Sequence, residues 1–321
     1  MSWVILHLLA VTAAYVMDRL FGDPKTAVHP VVLMGKLIQF GETRLNQGRF
    51  RKGKGIVFCL ISAAFLLAAA IAFTYGAYSV SIWLGVLFEA VIIWLMIGGE
   101  SMVKQAVSIY ESLSNSNLSN ARTQTGMIVS RDTSQMEESG IIRAVLESIG
   151  ENISDSVTAP LFYALIGGAP LAVLYRYINT SDAMLGYTSQ RLKQFGWASA
   201  RFDDVLNLIP ARITAAVMTV SVWKIKAATW QEAVYVIKHF AHLHESPNSG
   251  YGEAAMAGVL AIRLGGPTPY PDKLVQRPYF GVGKRPVQHV LIAEGITVWH
   301  VTILLFISLL WMIGGVIHVM A

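Results

Sequence analysis

Residues 56–80, IVFCLISAAFLLAAAIAFTYGAYSV, contain no charged side chain. A run of that length can cross a hydrocarbon layer of about 30 Å as an α-helix. Inside lipid the backbone must close its own hydrogen bonds, which leaves a helix or a closed barrel. The run is continuously apolar and does not alternate, so the helix is the form it predicts. Similar stretches occur at 2–17 and 296–320, and at 82–98, which is apolar apart from Glu89 and follows a very short turn. Residues 56–98 therefore read as a helical hairpin. Only 14% of the chain is charged and 54% is hydrophobic, against about 25% charged in soluble proteins. The expected fold is an all-α integral membrane protein built as one domain over residues 1–321.

Two further apolar stretches are irregular. Residues 157–178 are interrupted by Gly167-Gly168-Ala169-Pro170, and 205–223 contain Pro210 followed by Arg212. Broken helices at membrane depth occur where the backbone lines protein or a cavity, so both are read as incomplete or re-entrant spans in a helical bundle. The loop 18–55 carries Arg19, Lys25, Lys36, Arg44, Arg49, Arg51, Lys52 and Lys54, which places it in the cytoplasm. The polar segments 99–156 and 224–295 follow to the same side. Re-entrant segments keep the basic loop 179–204 there as well. No basic residue precedes the first apolar run and no clear cleavage site follows it, so it is expected to stay as a membrane segment. The net charge of +5 reports cytoplasmic loops, and no nucleic-acid partner is inferred. The single cysteine, Cys59, excludes an internal disulfide and reads as a packing residue.

The polar segments carry the chemistry. Ser134 and Glu137 have capping-box spacing ahead of a helix with the apolar face Ile141, Ile142, Val145, Leu146, Ile149 and Ile153. Glu147, Glu151 and Asp155 then stack along one stripe. A solvated stripe with an Arg143–Glu147 pair is the plain reading. Carboxylates at a membrane edge are costly unless paired or metal-bound, which favours ligands for a divalent cation or substrate contacts. Asp203, Asp204 and Asn207 fall within one turn and suit a hard cation, or a helix-end pairing with Arg201 and Arg212. In HESPNSGYGEAAMAGVLAIRLGG, a turn at Pro247–Gly250 leads into a helix beginning near Gly252, a place for a phosphate. Asp23 and His29 sit in a loop with two X-Pro turns. His239, His242 and His244 lack the H-E-x-x-H arrangement of a zinc site. No Walker loop, dinucleotide fingerprint or nucleophile elbow is present.

Six segments occur in a recognisable order: DRLFGDPKTAVHPVVLMGK, SRDTSQ, RAVLESIGENISDSVTAPLFY, NTSDAMLGY, ARFDDVLNLIPARITA and SPNSGYGEAAMAGVLAIRLGG. Over residues 15 to 285 the chain resembles the CobD/CbiB family of cobalamin biosynthesis, integral membrane adenosylcobinamide-phosphate synthases. The AmpE membrane-protein family shares part of the pattern, but the run through SPNSG favours the synthase. The resemblance implies a carbon–nitrogen ligase of the cell inner membrane, its site facing the cytoplasm. It would use ATP and Mg²⁺ to join adenosylcobyric acid to aminopropanol phosphate or ethanolamine phosphate, through an acyl phosphate. It also implies corrinoid and amino-alcohol phosphate as partners, with membrane association with other cobalamin-assembly enzymes.

On that reading Glu147, Glu151, Asp155 and Asp182 are catalytic candidates, and Glu151, Asp155, Asp203 and Asp204 metal ligands. Arg131, Arg201 and Arg212 neutralise phosphates, while Ser246, Asn248 and Ser249 cradle a phosphoryl group. Asn179, with Asp182, orients the amino-alcohol end or the corrin amides, and Asp23 and His29 complete the cleft. A transporter using Glu89 and the Gly-Gly-Ala-Pro break, or an AmpE-like sensor or scaffold, are the rival classes.

Overall fold

The computed structural model describes residues 2–24, 26, 28–186, 191–270 and 273–320. Lys25 and Ala27 of the first motif and Tyr187 of NTSDAMLGY lie outside the described residues. In chain order the helices are α1 (Trp3–Phe21), α2 (Pro30–Leu45), α3 (Arg51–Val80), α4 (Ile82–Met96), α5 (Gly99–Ser114), α6 (Leu118–Thr125) and α7 (Glu138–Asn152). A π-helical turn at Ile153–Thr158 leads into α8 (Ala159–Leu185) and α9 (Trp197–Val220). Then come α10 (Val222–Ile225), α11 (Trp230–Phe240), α12 (Ser249–Leu260), strands β1 (Leu264–Tyr270) and β2 (Lys273–Phe280), and α13 (Val290–Met320).

Among the described residues, six helical stretches are long and apolar enough to cross a bilayer: Trp3–Phe21, Arg51–Val80, Ile82–Ser114, Glu138–Leu185, Trp197–Ile225 and Val290–Met320. The architecture is that of a helical integral membrane protein. One short element departs from it, the antiparallel hairpin β1–β2. Its segment, LGGPTPYPDKLVQRPYF, is too rich in Gly and Pro for a helix. Gly265 and Gly266 take φ of 73° and 87° where the register shifts, the left-handed backbone that a bulge next to glycine uses.

The chain forms two compact units. Unit 1 comprises Met1–Gly98, Ala159–Asn207 and Ile307–Ala321. In it α1 packs on α4 and α8, and α3 packs on the same two helices. Its interior holds Leu8, Val11, Ile93 and Met96, while Leu60, Ile61, Phe65, Phe73, Trp83 and Leu87 face outward. In water such a surface would be an aggregation patch; against lipid tails it costs nothing. α3 and α4 are joined through Ser81 alone, whose hydroxyl caps α4 by accepting from Leu84 N. α8 is broken where the sequence places the break, with Gly167 at φ −147° and Gly168 at φ 63°, ψ −157°. Pro170 then sits in the first turn of the second half, where its missing N–H does no harm.

Unit 2 comprises Gly99–Thr158 and Leu208–Phe306. α7 buries Ile141, Ile142, Val145, Leu146 and Ile149, as its periodicity demands. Its N-cap is Glu137, without a side-chain bond, and Ser134 N donates instead to Asp132 Oδ1. The Ser134 capping box is therefore not formed, because the Asp132 turn ends before the helix begins. α12 starts at Ser249, three residues earlier than the Gly252 expected, and packs on α7 and α11. Gly150 and Gly252 meet at the α7–α12 crossing: a Cβ on Gly252 would lie 2.3 Å from Gly150 O, and one on Gly150 2.8 Å from Gly252 O. Two glycines let the backbones touch, which puts the neighbouring Glu151 and Ser249 side by side. Gly252→Ala should push the helices apart and cost about 1–3 kcal/mol, read as a lower melting temperature in detergent. An unchanged melting temperature would show that the crossing yields freely.

Candidate functional site

Glu147 is the centre of unit 2. It is 3% exposed, and its Oε1 accepts from Gly265 N of β1 at 2.7 Å. Its Oε2 accepts from Arg277 of β2 at 2.7 Å and from Arg131 of the segment before α7. The stripe is thus not solvated here, and Arg143 does not pair with Glu147 but bonds Ser139. Arg143 lies one turn below on the same helix, but the hairpin delivers Arg277 and closes Glu147 off from water.

Arg277 also donates through Nη2 to Glu253 Oε1 and Oε2 at 2.8 and 3.0 Å. Glu253 is 2% exposed on α12, among Ala254, Ala255, Met256 and Ala257. His244 completes the group. Its Nδ1 lies 2.9 Å from Ser246 N and 3.3 Å from Ser246 O, and its Nε2 lies 3.5 Å from Glu253 Oε1. Arg277 Nη2 lies 3.1 Å from the same Nε2. Burial and the nearby guanidinium push the His244 ring's pKa down. Burial works against the Arg277 charge, but Glu253 and Glu147 outweigh it and hold its pKa above the ordinary value.

These side chains line a cavity of about 290 Å³ whose walls include Arg131, Glu151, His244, Glu253, Tyr270 and Arg277. Glu151 accepts from Ser249 Oγ at 2.8 Å, and Ser249 Oγ lies 3.2 Å from Ser246 Oγ. Ser246 Oγ in turn accepts from the N–H groups of Asn248 and Ser249, both at 3.3 Å. It caps α12, so two of the donors read as a phosphate cradle already have a partner. Arg212 donates to Asn248 Oδ1 at 3.2 Å and lies 4.3 Å over the Tyr251 ring. Asp155 is in the π turn Ile153–Thr158. The winding widens there from α to π.

The remaining candidates belong to unit 1. Asp203 accepts from Asn207 Nδ2 at 3.0 Å and Asn179 Nδ2 at 3.3 Å, and Asn207 Oδ1 accepts from Tyr175. Asp204 turns to Arg201 at 3.1 Å, an exposed i, i+3 pair of the kind worth about 0–1 kcal/mol. The two neighbouring aspartates therefore have different partners. Asp182 is half-buried near the end of α8, its carbonyl accepting from Gly186 N. His29 Nδ1 caps α2 by accepting from Val31 N at 3.3 Å, leaving Nε2 3.1 Å from Asp23 Oδ1. Among the described residues no three His, Cys, Asp or Glu side chains gather as a metal cage. His239 stacks on Tyr235, apart from the role His244 has.

Sequence reasoning missed Arg277, Glu253 and His244 as a group. Glu253 did leave a signal, a lone acid in a helix of glycine, alanine and methionine. Arg277 left none, because nothing local to β2 says that it reaches Glu147.

Unit 2 thus sets two buried glutamates and two half-buried arginines beside a polar cavity, in a helical membrane protein. The CobD/Cbib protein family model matches residues 11–317. Among curated proteins, "Cobalamin biosynthesis protein CobD" of Halalkalibacterium halodurans is 43% identical over 97% of this chain and 98% of its own. Proteins of the same name from Geobacter metallireducens and Clostridium perfringens are 38% and 36% identical, over 86% and 88% of this chain and 87% and 90% of theirs. No solved structure matches significantly. The chain belongs to the CobD/CbiB family of cobalamin biosynthesis, the adenosylcobinamide-phosphate synthases, which are carbon–nitrogen ligases.

Glu253 generates a pH dependence. Burial, reinforced by Glu147, pushes its carboxyl up to about 8 against the pull of Arg277. The folded state thus holds this proton more tightly than the unfolded chain, in which the ordinary value is 4.5. The stability it contributes is complete below 4.5 and is lost as pH rises through about 8. The melting temperature should fall across that window in the native protein and fall less in Glu253→Gln. Equal slopes would remove Glu253 as the titrating group.

Proposed function

We propose that the protein condenses the free propionate carboxylate of adenosylcobyric acid with the amine of aminopropanol phosphate or ethanolamine phosphate, consuming ATP. The observation that carries this reading is the unit 2 cavity, which presents guanidinium and carboxylate groups side by side. Condensing a carboxylate with an ammonium directly is uphill and slow. Transfer of the terminal phosphoryl group of ATP to the carboxylate gives an acyl phosphate and ADP. The deprotonated amine then attacks the acyl carbon, the carbon–oxygen bond to phosphate breaks, and inorganic phosphate leaves.

Each step gathers anions, and Arg131 and Arg277 supply fixed positive charge against their repulsion. Arg212, held over Tyr251, is a further phosphate partner in unit 2. Glu151 is the carboxylate on the cavity wall best suited to a hard cation or to the substrate amine, with Ser249 orienting it. Mg²⁺ characteristically takes one or two carboxylates and leaves its other positions to phosphates and water. The donor set around Glu151 fits an ion of that kind, carried in with the nucleotide, rather than a protein cage. When bound, the ion would offset phosphate charge. In unit 1, Asn179, Asp182, Asp203, Asp204 and Arg201 are proposed to orient substrate or metal, as are Asp23 and His29. Asp155 is kept as a candidate ligand. The basic loops support a site on the cytoplasmic face of the inner membrane, and association with other cobalamin-assembly enzymes is part of the same proposal.

Purified protein in detergent, given adenosylcobyric acid, aminopropanol phosphate and MgATP, should yield corrinoid amide and ADP in equal amounts. Glu151→Gln and Asp204→Asn should each lower that rate by at least ~100-fold with an unaltered melting temperature. Full activity in both variants would remove these carboxylates from the reaction, and ion flux without product would make the protein a transporter.

A further inference from the structure

In an unbroken α8 the Ala169 N–H would donate to the Leu165 carbonyl, four residues back. The break at Gly167 and Gly168 separates them, and both groups lie inside the membrane bundle, where an unmade bond is costly. Each finds a side chain from another helix. His7 Nδ1 of α1 lies 3.1 Å from Leu165 O; a carbonyl only accepts, so Nδ1 carries a proton. Glu89 Oε1 of α4 accepts from Ala169 N at 3.1 Å. The two side chains face one another, His7 Nε2 at 3.8 Å from Glu89 Oε1, and Tyr78 donates its hydroxyl to Glu89 Oε2 at 3.1 Å.

The arrangement complements the helix ends. An acceptor, Glu89 Oε1, stands at the N-terminus of the second half-helix and a donor, His7 Nδ1, at the C-terminus of the first, matching the free N–H and C=O groups there. Gly168 is obliged to be glycine twice over. Its φ is 63°, and a Cβ there would lie 1.9 Å from Glu89 Oε1 and 3.0 Å from His7 Nε2. Glu89 is 1% exposed, so neither oxygen is open to a passing ion. The acid and the break, which read separately look like transporter features, satisfy each other.

We propose that His7 and Glu89 act as one unit, a two-ended cap that replaces the missing helical bond and fixes the direction of the half-helix Ala169–Leu185. They are positioning residues for Asn179 and Asp182, which that half-helix carries about 15 Å further on, and for Asp203, which Asn179 contacts. This part rests on the substrate-orienting role proposed above for those residues.

The test uses His7→Leu, Glu89→Leu and the double variant in lipid nanodiscs, with hydrogen exchange of the 165–172 segment and steady-state kinetics as two readouts. Each single variant should speed exchange there about tenfold or more, the equivalent of one lost buried hydrogen bond, and raise KM for the amino-alcohol phosphate more than it lowers kcat. The double variant should be no worse than the worse single one, because removing one member alone strands the other in an apolar interior. Glu89→Asp, which keeps the carboxylate, should recover part of both effects where Glu89→Leu folds poorly. Unchanged exchange in the single variants, or strictly additive losses in the double, would overturn the paired cap. Faster exchange with unchanged KM would overturn the positioning role. Absence of corrinoid product from the native protein would instead fault the proposed function and leave the exchange result standing.

Discussion

One buried carboxylate organises unit 2. Glu147 takes donors from three separate stretches: Arg131 before α7, Gly265 in β1 and Arg277 in β2. It thereby ties the hairpin to α7, and the hairpin forms one wall of the cavity. Removing one partner from a buried, hydrogen-bonded charge pair typically costs about 3–5 kcal/mol, more than any single apolar contact in this unit supplies. The same network sets up the chemistry. Two guanidiniums, Arg131 on Glu147 and Arg277 on Glu147 and Glu253, are held in place by buried acids, and at the wall Glu151 accepts from Ser249 Oγ. Positive charge for phosphates and an acceptor for a cation follow from one arrangement of side chains.

Unit 1 meets the opposite constraint. Its outer surface is apolar, so every polar group inside must be satisfied within the bundle. Glu89 with His7 and Tyr78, and Asp203 with Asn179 and Asn207 are two solutions to that demand. The features that suggested ion transport, an acid and a broken helix, are in contact and consume each other's hydrogen-bonding capacity.

Long-range apolar runs and the Gly-Gly-Ala-Pro break were legible in the sequence because hydropathy and backbone strain are local properties. The α3–α4 hairpin and the buried face of α7 followed in the same way, and the helix expected near Gly252 begins three residues earlier, at Ser249. Glu151 and Ser249 emerged as separate candidates, and the Gly150–Gly252 crossing that brings them together was invisible, since a glycine in a helix does not announce what it touches. The Arg143–Glu147 pair was expected from i, i+4 spacing; tertiary structure overrode it by delivering two arginines from elsewhere. The hairpin escaped because Gly and Pro read as loop, and Arg277 went unnoticed with it.

The central claim is that the unit 2 cavity is where the acyl phosphate is made and consumed. A structure determined with a non-hydrolysable ATP analogue, Mg²⁺ and aminopropanol phosphate tests it most directly. Phosphate density against Arg131 and Arg277, with the cation or the amine at Glu151, is the expected result. Ordered nucleotide bound elsewhere, with those three side chains unmoved and solvent alone beside them, would contradict it.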